Sequence, residues 1–128
     1  MCVQNFRRLK VWRKAHALLL NVQRAIRRFP REHANLRSQL RRAAESIPTN
    51  IVEGCGCLSQ KDFARFLQYS INSSNELEYH LLVARDYEVF ARREWSFLTA
   101  DTEEVRRMLH GLIKKVHGAD EQFSAICP

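Results

Sequence analysis

The stretch that decides the fold is WSFLTADTEEVRRMLHGLIKKV, residues 95–116. Trp95, Leu98, Thr102, Val105, Leu109, Leu112 and Val116 alternate steps of three and four along it. That is an a/d seam held for about three heptads, the pattern of a helix packed among other helices. Phe97 and Met108 fall outside the seam. A helix that is apolar on two sides often has two neighbours, one of which can be another subunit.

Outward from this seam, three more helices can be read. Ser59-x-x-Asp62 resembles a capping box with Asp in the return position. The stripe behind it is Phe63, Phe66, Leu67, Ser70, Ser74, Leu77, Leu81 and Ala84, carrying the helix to about Phe90. Its centre is serine rather than leucine, which lets a neighbouring helix approach closely. Before it, Leu36, Leu40, Ala43, Ile47 and Ile51 repeat the same spacing. Pro48 lies inside that helix and removes the amide that would bond the carbonyl of Ala44, so a kink is expected, with the Ser46 hydroxyl compensating in part. Gly54-Cys55-Gly56 is expected to end it through a left-handed glycine cap. The first helix carries Leu9, Trp12, Ala15, Leu19, Val22, Ile26 and Phe29, with Leu18 and Leu20 off the seam, and stops at Phe29-Pro30.

The expected helices thus span about residues 7–29, 33–54, 59–90 and 92–117, with 118–128 as a tail. Short links favour antiparallel neighbours. The expected fold class is all-α, an antiparallel up-and-down four-helix bundle forming a single domain over residues 1–128. A chain of this length can bury one core without disulfide or metal staples. Four Gly and three Pro leave little room for the turns of an all-β fold. Apolar content of 45% argues against disorder.

The N-terminus turns basic with no long apolar run behind it, so no signal peptide is expected. Ala17 to Leu20 is far short of the roughly 20 apolar residues of a membrane span. The expected location is cytoplasmic, with no membrane partner. Cys2, Cys55, Cys57 and Cys127 form no Cys-x-x-Cys pair and have no neighbouring His, so they read as reduced cytosolic thiols rather than zinc ligands.

Net charge is +7, unevenly spread. Residues 1–64 hold 13 Lys and Arg against 4 Asp and Glu, while residues 65–128 hold 8 against 10. Nine basic residues precede the first acidic one, Glu32. On a helix, Lys10, Lys14, Arg24 and Arg28 fall within about 80° of one another, opposite the Leu19/Ile26 face. Arg13 lies near them, and Arg41 and Arg42 continue the charge into the second helix. A merely solvated face usually mixes signs. A face without acids suits a polyanion, bound through phosphates in a salt-dependent way. The competing reading is charge that serves solubility on a structural scaffold or protein-interaction module. No aromatic interleaving suggests base stacking.

Enzyme chemistry finds no footing. A di-iron bundle needs Glu-x-x-His on two helices, and Glu76-Leu77-Glu78-Tyr79-His80 misses that spacing. Gly54-x-Gly56 lacks the third glycine and the preceding strand of a phosphate loop. No metal, catalytic residue or cofactor is expected. Ser46, Asn50 and Glu53 share one face of the second helix, and Glu76 follows the serines of the third. Together they are expected to form a structural polar network, because buried polar groups must be paired.

The run Phe29-Pro30-x-Glu32, then Gln39-Leu40-Arg41-Arg42-Ala43-Ala44-x-Ser46-Ile47-Pro48-x-Asn50-Ile51-Val52-Glu53-Gly54, resembles a family signature. Phe6-x-x-Leu9-x-Val11-Trp12, Glu76-Leu77-Glu78 and Met108-Leu109-x-Gly111-Leu112-Ile113 fit its other helices. The family is that of bacterial four-helix proteins encoded in intervening sequences of the 23S ribosomal RNA gene. The accessory variability protein of diversity-generating retroelements is similar to them. The resemblance covers about residues 6–117. It implies a barrel-shaped homopentamer without enzymatic activity, and nucleic acid and a reverse transcriptase or other protein as further partners. Two positions depart from the pattern. Cys55-Gly56-Cys57-Leu58 stands where the loop is usually more polar, and Asn72 where a glycine usually precedes Ser73.

Overall fold

The computed structural model describes residues 4–126, with side chains described as far as Gly118. Cys2 and Cys127, read above as thiols, lie outside the described residues. Four α-helices follow one another: α1, Lys10–Ile26; α2, Ala34–Cys55; α3, Gln60–Asp86; and α4, Arg92–Ile126. Short 3-10 turns at Phe6–Arg8 and Arg31–His33 lead into the first two. The described residues contain no strand.

Consecutive helices are neighbours, and α1 closes the bundle against α4. Cross-helix contacts give the directions. The Gly54 backbone meets Phe63, while Ser46 meets Ser73, so α2 and α3 run antiparallel. The Arg85 guanidinium lies over the Trp95 ring at 4.7 Å, and Arg106 reaches back to Glu78 at 2.6 Å, so α3 and α4 do too. The Gln4 amide bonds the Cys55 carbonyl at 3.0 Å, which sets the start of α1 beside the end of α2.

Leu18, Leu40, Ile47, Phe63, Leu67, Leu77, Leu98 and Leu109 are among the fully buried side chains. The expected α4 seam lies largely in this core: Leu98, Thr102, Val105, Leu109 and Val116 are all buried. In α1 the core arc is shifted. Leu18 is 1% exposed, whereas Leu19 is only half-buried. Leu18 shares an arc with Val11, Ala15, Val22 and Ala25, and Leu19 stands one step further round. Serines let α2 and α3 close on each other. Ser70 Oγ donates to the Ile47 carbonyl at 2.8 Å, and the Ser46 and Ser73 hydroxyls bond at 2.7 Å.

Helix α2 runs unbroken through Pro48, which is buried. The Ser46 hydroxyl is engaged by Ser73 and Asn50 rather than standing in for the missing proline amide. No glycine has a positive φ among the described residues, so the expected left-handed glycine cap is absent. Gly56 caps α2 in ordinary helical conformation; its amide bonds back to the Glu53 carbonyl at 3.1 Å, and the Cys57 amide to the Gly54 carbonyl at 3.1 Å. Gly54 is buried inside the helix instead. Gly118 also fails to stop a helix: α4 continues to Ile126, where a tail from residue 118 was expected. Glycine inside a helix weakens it by about 1 kcal/mol without breaking it.

Helix α3 ends at Asp86, short of the expected end near Phe90. Glu88 has φ 58, and its amide bonds the Arg85 carbonyl at 3.0 Å. The Val89 amide bonds the Ala84 carbonyl at 3.2 Å. These two bonds make a Schellman motif with glutamate in the position usually held by glycine.

Candidate nucleic-acid interface

Helix α1 presents its outer face without a single acidic side chain. Its buried arc is Val11, Ala15, Leu18, Val22, Ala25 and Ile26. What remains for solvent includes Lys10, Arg13, Lys14 and Arg24, with Arg28 just beyond the helix end, all exposed. Lys10 and Arg24 stand about 21 Å apart along the axis. Two of these side chains are steadied locally. Arg13 donates to the Arg7 carbonyl at 2.9 Å, and Arg24 to Asn21 Oδ1 at 2.8 Å. Neither partner carries charge. Among the described residues the ion pairs join Arg65 to Asp62, Arg85 to Asp86, Arg106 to Glu78 and Arg107 to Glu104. All lie on α3 and α4, and none neutralises a cation of α1 or α2.

The two arginines of α2 are divided between two edges. Arg41 and Arg42 are both exposed and lie about 100° apart around the helix. Ser46 and Asn50 mark the α3 side, and Arg42 is the one on that side. There it lines a groove of about 600 Å³ with Gln39, Asn75, Glu76, Tyr79 and His80. Arg41 lies on the opposite edge, away from α3. The sequence reading missed Tyr79 as a neighbour of Arg42. The only available signal was its place off the apolar stripe of α3.

The expected polar network is smaller than proposed from sequence. Asn50 Nδ2 donates to the Ser46 carbonyl at 2.9 Å and to Ser46 Oγ at 3.0 Å, and Ser46 meets Ser73. Glu53 and Glu76 are exposed and stand outside it. The correction has a simple cause: serine hydroxyls satisfy one another at the α2–α3 crossing, and a carboxylate is cheaper left in water.

Other grooves border α4. One, of about 340 Å³, lies between α3 and α4 and is lined by Asn75, Glu78, Tyr79, Leu82, Trp95 and Thr99. Trp95 Nε1 and Thr99 Oγ1 are buried and without a hydrogen-bond partner among the described residues. Another, of about 480 Å³, sets Arg28 beside Phe90, Arg93, Glu94 and Phe97. No cluster of three or more His, Cys, Asp or Glu among the described residues is placed to hold a metal ion. No described helix is long and apolar enough to cross a membrane.

No curated protein matches the chain. Among solved structures, it is similar to a protein of unknown function from the S23 ribosomal protein family of Bacteroides thetaiotaomicron, determined at 1.70 Å. The two share 24% identity with a TM-score of 0.76, over 81% of this chain and 95% of that one. At that identity the likeness speaks for the fold. The family model of the 23S rRNA-intervening sequence protein matches residues 7–111. Matched by that model over residues 7–111, the chain belongs to the 23S rRNA-intervening sequence protein family.

Proposed function

We propose that this protein is a non-enzymatic cytoplasmic accessory protein that assembles as a homopentamer and binds RNA or DNA through the outer face of α1. The observation that carries this reading is a cationic helix face with no acid on it and no ion pair to it. With no carboxylate in reach, these cations keep their full charge for an anionic partner. Lys10, Arg13, Lys14, Arg24 and Arg28 supply the main phosphate contacts, with Arg41 and Arg42 on α2 extending the reach. Phosphate neutralisation of this kind is sequence-independent and releases counterions. Self-association is supported by apolar side chains left in water. Phe97 is 56% exposed and Leu20 42% exposed.

The test is fluorescence anisotropy of labelled RNA and DNA oligonucleotides at two salt concentrations. Raising salt from about 50 to 200 mM should weaken binding about a thousandfold if all seven cations engage phosphate. The Lys14→Glu/Arg24→Glu/Arg28→Glu variant should lose at least about 100-fold in affinity at the lower salt. Absence of binding by the native protein at low salt would reassign the charge to solubility and the protein to a scaffold role.

A further inference from the structure

We infer that the groove between α2 and α3 takes an unpaired nucleobase, so that the protein prefers single-stranded nucleic acid to duplex. This rests on the nucleic-acid reading above and adds a site that α1 does not contain.

The groove brings together the groups that such a ligand requires. Arg42 offers a cation and His80 a ring N–H donor for a phosphate. Tyr79 offers a ring for stacking. Gln39, Asn75 and Glu76 offer amide and carboxylate groups for the polar edge of a base. Arg42 and Glu76 share the groove without forming an ion pair, so neither charge is consumed by the other. Asn75 Oδ1 already accepts from Arg106 at 3.1 Å. That bond fixes the amide and leaves its NH₂ as the side available to a ligand.

Tyr79 supplies the argument for a single strand. It is 61% exposed, whereas Phe63 of the same helix is fully buried. It also lines the adjoining groove between α3 and α4, beside Leu82 and Trp95. The ring therefore stands on a ridge with open space on both sides. A phosphate track on a helix face accepts single and double strands alike. A ring in open space needs a base whose face is free, and duplex bases have theirs covered by neighbours. The His80 ring lies beside it, tilted, with centroids 5.8 Å apart.

The experiment compares an unstructured single-stranded oligonucleotide with a duplex of equal length, binding native protein, Tyr79→Ala and Tyr79→Phe. Light scattering on each protein records its assembly. Tyr79→Ala should weaken single-strand binding by about 5- to 100-fold, the range for loss of one stacked base. Duplex binding should stay within about twofold of native, and Tyr79→Phe should retain native single-strand affinity. Unchanged single-strand affinity in Tyr79→Ala overturns the inference alone, as does an equal loss on duplex. A changed particle mass in Tyr79→Ala overturns it too, since the ring would then be packing on another copy. Native protein that binds neither ligand removes the nucleic-acid reading, and this inference with it.

Discussion

At Gly54 a single hydrogen atom sets how closely two helices meet. A Cβ placed there would lie 2.9 Å from Phe63 Cδ1 and 3.0 Å from Phe66 Cβ. Phe63 is fully buried, so its ring has nowhere to move. Gly54→Ala is expected to cost about 1–3 kcal/mol through overpacking, against the small gain that alanine brings to a helix. Urea denaturation measures this directly, and a midpoint equal to native would show that the crossing can widen freely. Sequence reading gave this glycine the wrong task. A glycine near a helix end looks the same whether it supplies a left-handed turn or a flat surface for a neighbour. The difference depends on Phe63 and Phe66, which belong to the next helix. The serines of α3 were more readable. Their smallness was visible at Ser70 and Ser74, but their bonding was not, because the Ile47 carbonyl that Ser70 meets lies across the interface.

Helices as elements were legible because apolar spacing repeats along each. Their ends were less so. Helix α3 stops at Asp86 through a motif whose left-handed residue is Glu88, and nothing in a glutamate announces a stop. For an L-residue with a side chain, that conformation costs about 1–2 kcal/mol. Glu88→Gly relieves the cost and gives back part of it in the unfolded chain. The expected net gain is about 1 kcal/mol, seen as a higher midpoint in thermal or urea unfolding. A loss of stability would mean that the Glu88 side chain contributes more than its backbone costs. The shifted core arc of α1 has the same origin as these end errors. Leu18 and Leu19 are equally apolar, and only the positions of α2 and α4 decide between them.

For the whole molecule, the basic face of α1 was readable since its cations lie on one helix and in the residues directly after it. The groove with Arg42 and Tyr79 was not, because its walls come from two helices and meet only on folding. Assembly belongs to this scale as well. Light scattering at micromolar concentration is expected to give five times the 15.0 kDa chain mass, and a monomer would remove the homopentamer from the proposed function. The bond from the Gln4 amide to the Cys55 carbonyl has a consequence during synthesis. Roughly fifty residues separate donor from acceptor, about 3–10 s of translation at ordinary rates. A helix forms in about a microsecond, so the cationic segment leaves the ribosome long before the seat for its leading end exists. For those seconds it carries its positive charge without the neighbours against which it will pack.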